Sequence, residues 1–79
     1  MDILQSLLFP KEKYTIEEVK NYLIFNKYKH NKLDITNNFI RARQRDQRYL
    51  RRKGYDKVKT ILNKKTNIKK IIFYSSSSS

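Results

Sequence analysis

The stretch FIRARQRDQRYLRRKG, residues 39–54, decides the fold, because it reads either as a strand or as a helix. Its first half has the two-residue period of a strand. In a strand, Ile40 and Ala42 would face one side, and the other side would carry Phe39, Arg41, Arg43 and Arg45. The arginines would then follow one another at steps of roughly 6.5–7 Å. This alternation predicts a strand near residues 37–45.

As a helix, the same stretch would end at Gly54. It would then place on one face the side chains of Arg41, Arg45, Arg48 and Arg52, in the manner of an arginine-rich recognition helix. Between Ala42 and Tyr49, however, no apolar residue is available to contact a core, and a helix held at only one end is marginal in a chain of 79 residues. The strand is therefore the favoured interpretation, and the helix is the alternative.

The clearest helix signal precedes this stretch. In YTIEEVKNYLIF, Thr15 and Glu18 have the spacing of a capping box, and Tyr14 and Val19 have the spacing of a hydrophobic staple. We therefore expect a helix from Ile16 to about residue 28. Its core-facing stripe would consist of Ile16, Val19, Tyr22 and Leu23.

Short apolar segments on both sides of the helix predict strands near residues 3–9, 57–62 and 68–74. Pro10 ends the first strand, and the turn-like NKKTN makes the last two a hairpin. The predicted fold class is α+β, with one N-terminal helix packed on a small antiparallel sheet of three to four strands. Residues 1–74 would form a single small basic domain, followed by a disordered serine tail at 75–79.

Positive charge dominates the composition. The chain has 19 lysines and arginines against 7 acidic residues, a net charge of +12. Residues 41–79 hold 13 of the basic residues and 2 of the acidic ones, and every arginine lies in this half. Such an excess is typical of a surface that contacts phosphate or another polyanion, and the arginine fork suits phosphate bidentately.

The candidate contact residues combine this charge with nearby aromatic rings that could stack on bases. They are Arg41, Arg43, Arg45, Arg48, Arg51, Arg52, Lys53, Phe39, Tyr49 and Tyr55.

Residues that carry chemistry are sparse. The chain has no cysteine, one histidine (His30) and one glycine (Gly54), and Asp34 and Asp46 are isolated carboxylates beside basic residues. No catalytic triad, metal set or glycine-rich phosphate loop can be assembled from these. We therefore expect no enzyme activity, cofactor, metal or small-molecule substrate. The absence of a long apolar run or signal-peptide pattern predicts a protein that contacts no membrane and is not secreted.

The order of several residues resembles a small, mostly uncharacterised domain found in nucleocytoplasmic large DNA viruses and in head-region proteins of tailed phages. Its members read Trp-Thr, Ala, Trp-Leu, Lys-x-Asp-x-Thr and an aromatic Arg-x-Arg-Gln strand. The matching positions are Tyr14-Thr15, Val19, Tyr22-Leu23, Lys32–Thr36 and Phe39–Gln44.

This resemblance covers about residues 6–74. Tyrosine replaces both tryptophans, Val19 replaces the alanine, and the usual glycine before the last strand is absent near Asn67. The resemblance implies a strand at Phe39–Gln44 and a location in the virion or in the cytoplasm of an infected host cell. It implies no activity.

Two functions fit these observations. The first is non-specific binding of nucleic acid, DNA or RNA, through the arginine-rich sheet face and the loop after it. The alternative is a virion structural protein, of the minor capsid or cement type, that uses the same basic face to dock on acidic protein surfaces.

Overall fold

The structure is a computed structural model that describes residues 2–75, so the predicted serine tail lies outside the described residues from position 76 onward. The chain forms a five-stranded sheet with antiparallel neighbours, in the order β2-β3-β1-β5-β4. Its elements are β1 (Asp2–Pro10), α1 (Ile16–Phe25), β2 (Leu33–Ile35), β3 (Phe39–Arg43), α2 (Gln47–Arg52), β4 (Lys57–Leu62) and β5 (Lys69–Tyr74).

The predicted architecture of one helix on three to four strands is wrong, because the structure contains five strands and two short helices. The additional strand, β2, has three residues and is held by pairing of Leu33 with Ala42 of β3. The additional helix, α2, has six residues. Elements this short display less than two periods of a strand or helix, so periodicity does not reveal them.

The stretch at 39–54 follows both interpretations in turn. It is a strand as far as Arg43, and it is a helix from Gln47 to Arg52. Arg45, which was predicted to continue the strand, lies in the connection between the two elements.

α1 begins at Ile16 after the predicted capping box: the Thr15 hydroxyl accepts from the Glu18 backbone N–H at 3.1 Å, and Glu18 accepts from the Thr15 N–H at 2.9 Å. The helix ends at Phe25 and not near residue 28. Ile16 is 42% exposed, so the predicted core stripe is wrong at that position.

The end of α1 is a Schellman motif. Lys27 adopts a left-handed conformation, φ +62°, and its N–H donates to the Ile24 carbonyl at 3.1 Å. The Tyr28 N–H donates to the Leu23 carbonyl at 2.8 Å. These two bonds satisfy carbonyls that the helix leaves unpaired, and they stop its propagation.

The main core lies between α1 and one face of the sheet, which we call the helix face. Phe9 is at its centre, with the rings of Tyr14 and Tyr22 edge-on at centroid distances of 5.5 and 5.4 Å. The buried cluster consists of Leu7, Phe9, Val19, Leu23, Ile40, Ala42 and Ile68. Its contributions from β3 are the alternating apolar residues that the sequence pattern predicts.

A β-bulge at Gln5 interrupts β1, the central strand. Leu4 pairs with Ile72 of β5, whereas Ser6 pairs with Ile71, so Gln5 is an extra residue against β5. The bulge allows Leu4 to pack against the main core while Gln5 and Ser6 are both buried and hydrogen-bonded to one another.

Candidate functional site

Arg41 is anchored by the bulge. Its Nη2 donates to Gln5 Oε1 at 2.9 Å, and the Ser6 hydroxyl donates to the same oxygen at 2.8 Å. Gln5 in turn donates through Nε2 to the Arg45 carbonyl at 3.0 Å. Gln5 is 1% exposed, so this network holds the Arg41 guanidinium in a defined position on the sheet face opposite α1. We call this the arginine face.

Residues of α2 line a depression together with Gln5 and Arg41, which shows that α2 lies over the arginine face. Asp46 caps the helix by accepting from the Arg48 N–H at 2.9 Å, so this carboxylate has a structural role. Leu50 is 1% exposed and anchors the helix. At the other end Gly54, at φ +96°, and Tyr55 complete a second Schellman motif, in which the Tyr55 N–H donates to the Leu50 carbonyl at 3.0 Å.

The depression between α2 and the sheet is open and has a volume of about 320 Å³. Four of the predicted arginines meet here. Arg43 also pairs with Asp34, at 3.0 Å, in an ion pair whose side chains are both about half exposed. The lining residues are Gln5, Arg41, Arg43, Asp46, Gln47, Arg48 and Arg51. We call this the arginine depression.

Arg45 belongs to a second, larger depression of about 760 Å³, which we call the basic cleft. Its opposite wall is the loop that follows α1. The basic residues that line it are Lys27, Lys29, His30, Lys32, Arg43 and Arg45, together with Tyr28, Asn31, Gln44, Asp46 and Tyr49. Arg43 and Asp46 line both depressions, so the two form one continuous basic surface.

The loop lysines were not predicted as site residues. Lys27, Lys29 and Lys32 are separated from the arginines in sequence, and the fold brings them to the same surface. The Arg43 N–H donates to the Lys32 carbonyl at 3.0 Å, and the Gln44 side chain bonds to the backbone of Lys29. These contacts are tertiary, and no local pattern in the sequence signals them.

The remaining predicted residues are dispersed. Phe39 is half-buried at the other end of β3, opposite Pro10, with the Lys69 ammonium 4.9 Å from its ring centroid. Tyr55 is half-buried and follows α2 in the chain, and Arg52 is exposed and lines neither depression. The structure therefore does not place Phe39, Tyr55 or Arg52 with the arginine depression.

Tyr49 is the predicted aromatic residue that does reach the basic surface. It is 46% exposed on the wall of the basic cleft. The Lys53 ammonium lies over one face of the Tyr49 ring, 5.6 Å from the ring centroid. Tyr49 is thus available for a stacking contact next to Arg43 and Arg45.

Within residues 2–75, no group of three or more histidine, cysteine or acidic side chains is arranged to hold a metal ion. Nor does this part of the chain contain a helix long and apolar enough to cross a membrane.

Comparison of the chain with known protein families, with functionally characterised proteins and with solved structures finds no match in any of the three.

Proposed function

We propose that the protein binds nucleic acid without sequence preference, by contacts between phosphates and the basic surface. One observation carries the proposal: the two connected depressions are lined by eight lysine and arginine side chains and by a single carboxylate, that of Asp46. Phosphate contacts of this kind position a protein on nucleic acid but do not read bases.

The state of Arg41 supports the same proposal. Within the described residues it takes part in no ion pair, and its Nε is buried without a hydrogen-bond acceptor. An uncompensated guanidinium is unfavourable in the free protein and favours an anionic ligand nearby. Arg48 and Arg51 add exposed charges on the other side of the same depression.

The function that we propose is that of a binding protein rather than an enzyme. Its resemblance to the viral and phage domain favours action in a virion or in the cytoplasm of an infected host cell. The alternative, docking of the same basic surface on an acidic virion protein, is separated from nucleic-acid binding by the test below.

The test is the salt dependence of binding to random duplex DNA and to random RNA. We expect affinity to fall steeply with salt and to vary little with sequence. The double variant Arg48→Gln/Arg51→Gln should lower the slope of log affinity against log salt by about two units on duplex DNA, since each lost phosphate contact removes about 0.9 unit.

A matched control is Lys64→Gln/Lys65→Gln, which removes the same charge. These lysines are exposed in the β4–β5 turn. Asn67 of the same turn lines a depression with Pro10 and Phe39, so the turn lies at the end of β3 that is away from the basic cleft. The control should keep the parent slope. Equal slopes for both double variants would reject a localised phosphate surface. Weak binding to both nucleic acids with tight binding to an acidic virion protein would favour the docking function.

A further inference from the structure

β4 is an edge strand with unusual exposure. All six of its residues are exposed, including Val58 at 47%, Ile61 at 49% and Leu62 at 48%. In the part of the chain that the structure describes, no strand lies beyond it. Long edges with apolar side chains are templates for pairing with another strand, and proteins usually shorten or cover them. The opposite edge, β2, has only three residues.

The unpaired backbone groups of β4 can be identified from the ladder. The Asn63 N–H donates to the Ile68 carbonyl at 3.0 Å, in continuous register with the β4–β5 pairs. Alternate residues of an antiparallel strand direct their backbone groups to opposite neighbours. Since Asn63 is bonded toward β5, the N–H and C=O groups of Val58, Thr60 and Leu62 point outward.

We propose that a second copy of this chain pairs antiparallel with this edge, with Thr60 opposite Thr60 of the second copy. The outward residues then face one another, because Val58 lies opposite Leu62, and each such pair exchanges two hydrogen bonds. Lys59 lies opposite Ile61, and Lys57 lies opposite Asn63. Apolar side chains therefore meet across the join on the arginine face, and no lysine lies opposite a lysine.

Neighbouring registers that keep the same faces together are less favourable. A shift of two residues in one direction places Lys59 opposite Lys59 of the second copy. A shift in the other direction places Val58 opposite Lys64 in the turn, so the apolar pair of Val58 with Leu62 is lost. Like charges directly opposite destabilise an antiparallel pair. The edge thus selects one register.

The symmetry has a consequence for binding. A twofold axis through the Thr60 pair, perpendicular to the sheet, leaves the arginine faces of both copies on the same side of one continuous sheet. A single polyanion can then contact both basic surfaces, which raises its effective affinity without a new kind of contact. This consequence rests on the proposed nucleic-acid binding, whereas the dimer itself does not.

The experiment is sedimentation velocity of the full chain without nucleic acid, over a range of protein concentrations. The contact is small, so we expect a reversible dimer of twice the 9.6 kDa monomer mass. Because each copy has a net charge of +12, the dimer fraction should rise between about 0.05 M and 0.5 M salt, opposite to the trend for nucleic-acid binding. In hydrogen exchange, the amides of Val58, Thr60 and Leu62 should become protected as protein concentration rises.

Val58→Lys/Leu62→Lys places lysine opposite lysine at exposed positions and should weaken dimerisation by roughly tenfold or more. Thr60→Pro, which removes an outward N–H without breaking a β4–β5 bond, should weaken it independently. The control is Ile35→Lys, which adds one lysine to the other edge, where the side chain is 56% exposed, and it should leave dimerisation unchanged. A monomer at every salt and protein concentration, or equal loss in the Ile35→Lys control, would overturn the proposal. Dimerisation that survives in folded Val58→Lys/Leu62→Lys would overturn it as well.

Discussion

The side-chain amide of Gln44 pairs with the backbone of Lys29 as a neighbouring strand would. The Lys29 N–H donates to Gln44 Oε1 at 2.8 Å, and Gln44 Nε2 donates to the Lys29 carbonyl at 2.9 Å. The two residues are fifteen positions apart, and the bonds join the loop after α1 to the end of β3. One side chain thereby fixes the wall of the basic cleft.

Gln44→Ala should therefore loosen the loop without dismantling the core. We expect a loss of about 1 kcal/mol in the free energy of unfolding, because two exposed hydrogen bonds are replaced by bonds to water. The Lys29 amide should exchange faster with deuterium, and affinity for nucleic acid should fall because the loop lysines are no longer held in place. Gln47→Ala, at an exposed position on α2, serves as the control; the idea fails if both variants alter Lys29 exchange alike.

Arg41 and Arg45 should respond differently to the same substitution. Arg41→Gln removes the guanidinium that bonds to buried Gln5 and should cost about 1–3 kcal/mol in unfolding free energy. Arg45→Gln changes an exposed side chain and should stay within about 0.5 kcal/mol of the parent. Urea denaturation of both variants measures the difference. Equal stabilities would show that the bulge network does not hold Arg41.

Substitutions at the two left-handed positions after the helices should change the stability of the fold in opposite directions. Lys27→Gly should stabilise the fold by about 1 kcal/mol, because a side chain at φ +62° is strained and glycine is not. Gly54→Ala should destabilise it by about 1 kcal/mol through strain alone, since a Cβ at this position would meet no atom within 4 Å. Thermal melts of the two variants provide the check. Melting temperatures that shift in the same direction would contradict the left-handed conformation of one of the two positions.

The interaction of Asp2 with Lys59 should make the stability of the protein depend slightly on pH in the acid range. The hydrogen bond from Lys59, at 2.7 Å, lowers the pKa of this exposed carboxyl below its ordinary value. A carboxyl whose pKa is lower when folded stabilises the protein above its unfolded pKa, and this contribution is lost as the pH falls through the folded pKa. Asp2→Asn should thus melt lower than the parent near neutral pH and converge with it below about pH 4. A gap that persists unchanged in acid would exclude the Lys59 interaction as its cause.

The parts of the fold that could be predicted are those with a local signature. The Thr15 and Glu18 capping box fixed the start of α1, and the alternation of Ile40 with Ala42 fixed the inward face of β3. α2 also has a local signature. Asp46 precedes it as a cap, and Leu50 and Tyr55 repeat the spacing with which Leu23 and Tyr28 close α1.

Other features have no local signature. β2 exists because β3 offers it a pairing edge, and the lysines of the basic cleft are placed by Gln44. The bulge at Gln5 depends on packing against both neighbours of β1. The left-handed position in the β4–β5 turn does have a local signature, because Asn67 adopts φ +61°, which asparagine tolerates better than most residues.

The central position of β1 also determines when the sheet can close. β1 pairs with β5, and the ladder joins Asp2 to Tyr74, so the first strand waits for the last before either can be completed. Contacts that span so much of the chain are slow to form, because their loop-closure entropy is lost before they contribute. During synthesis the arginine-rich segment therefore leaves the ribosome before the sheet that will hold it is complete. Until β5 pairs with β1, the unfolded chain is a polycation, because its net charge is +12.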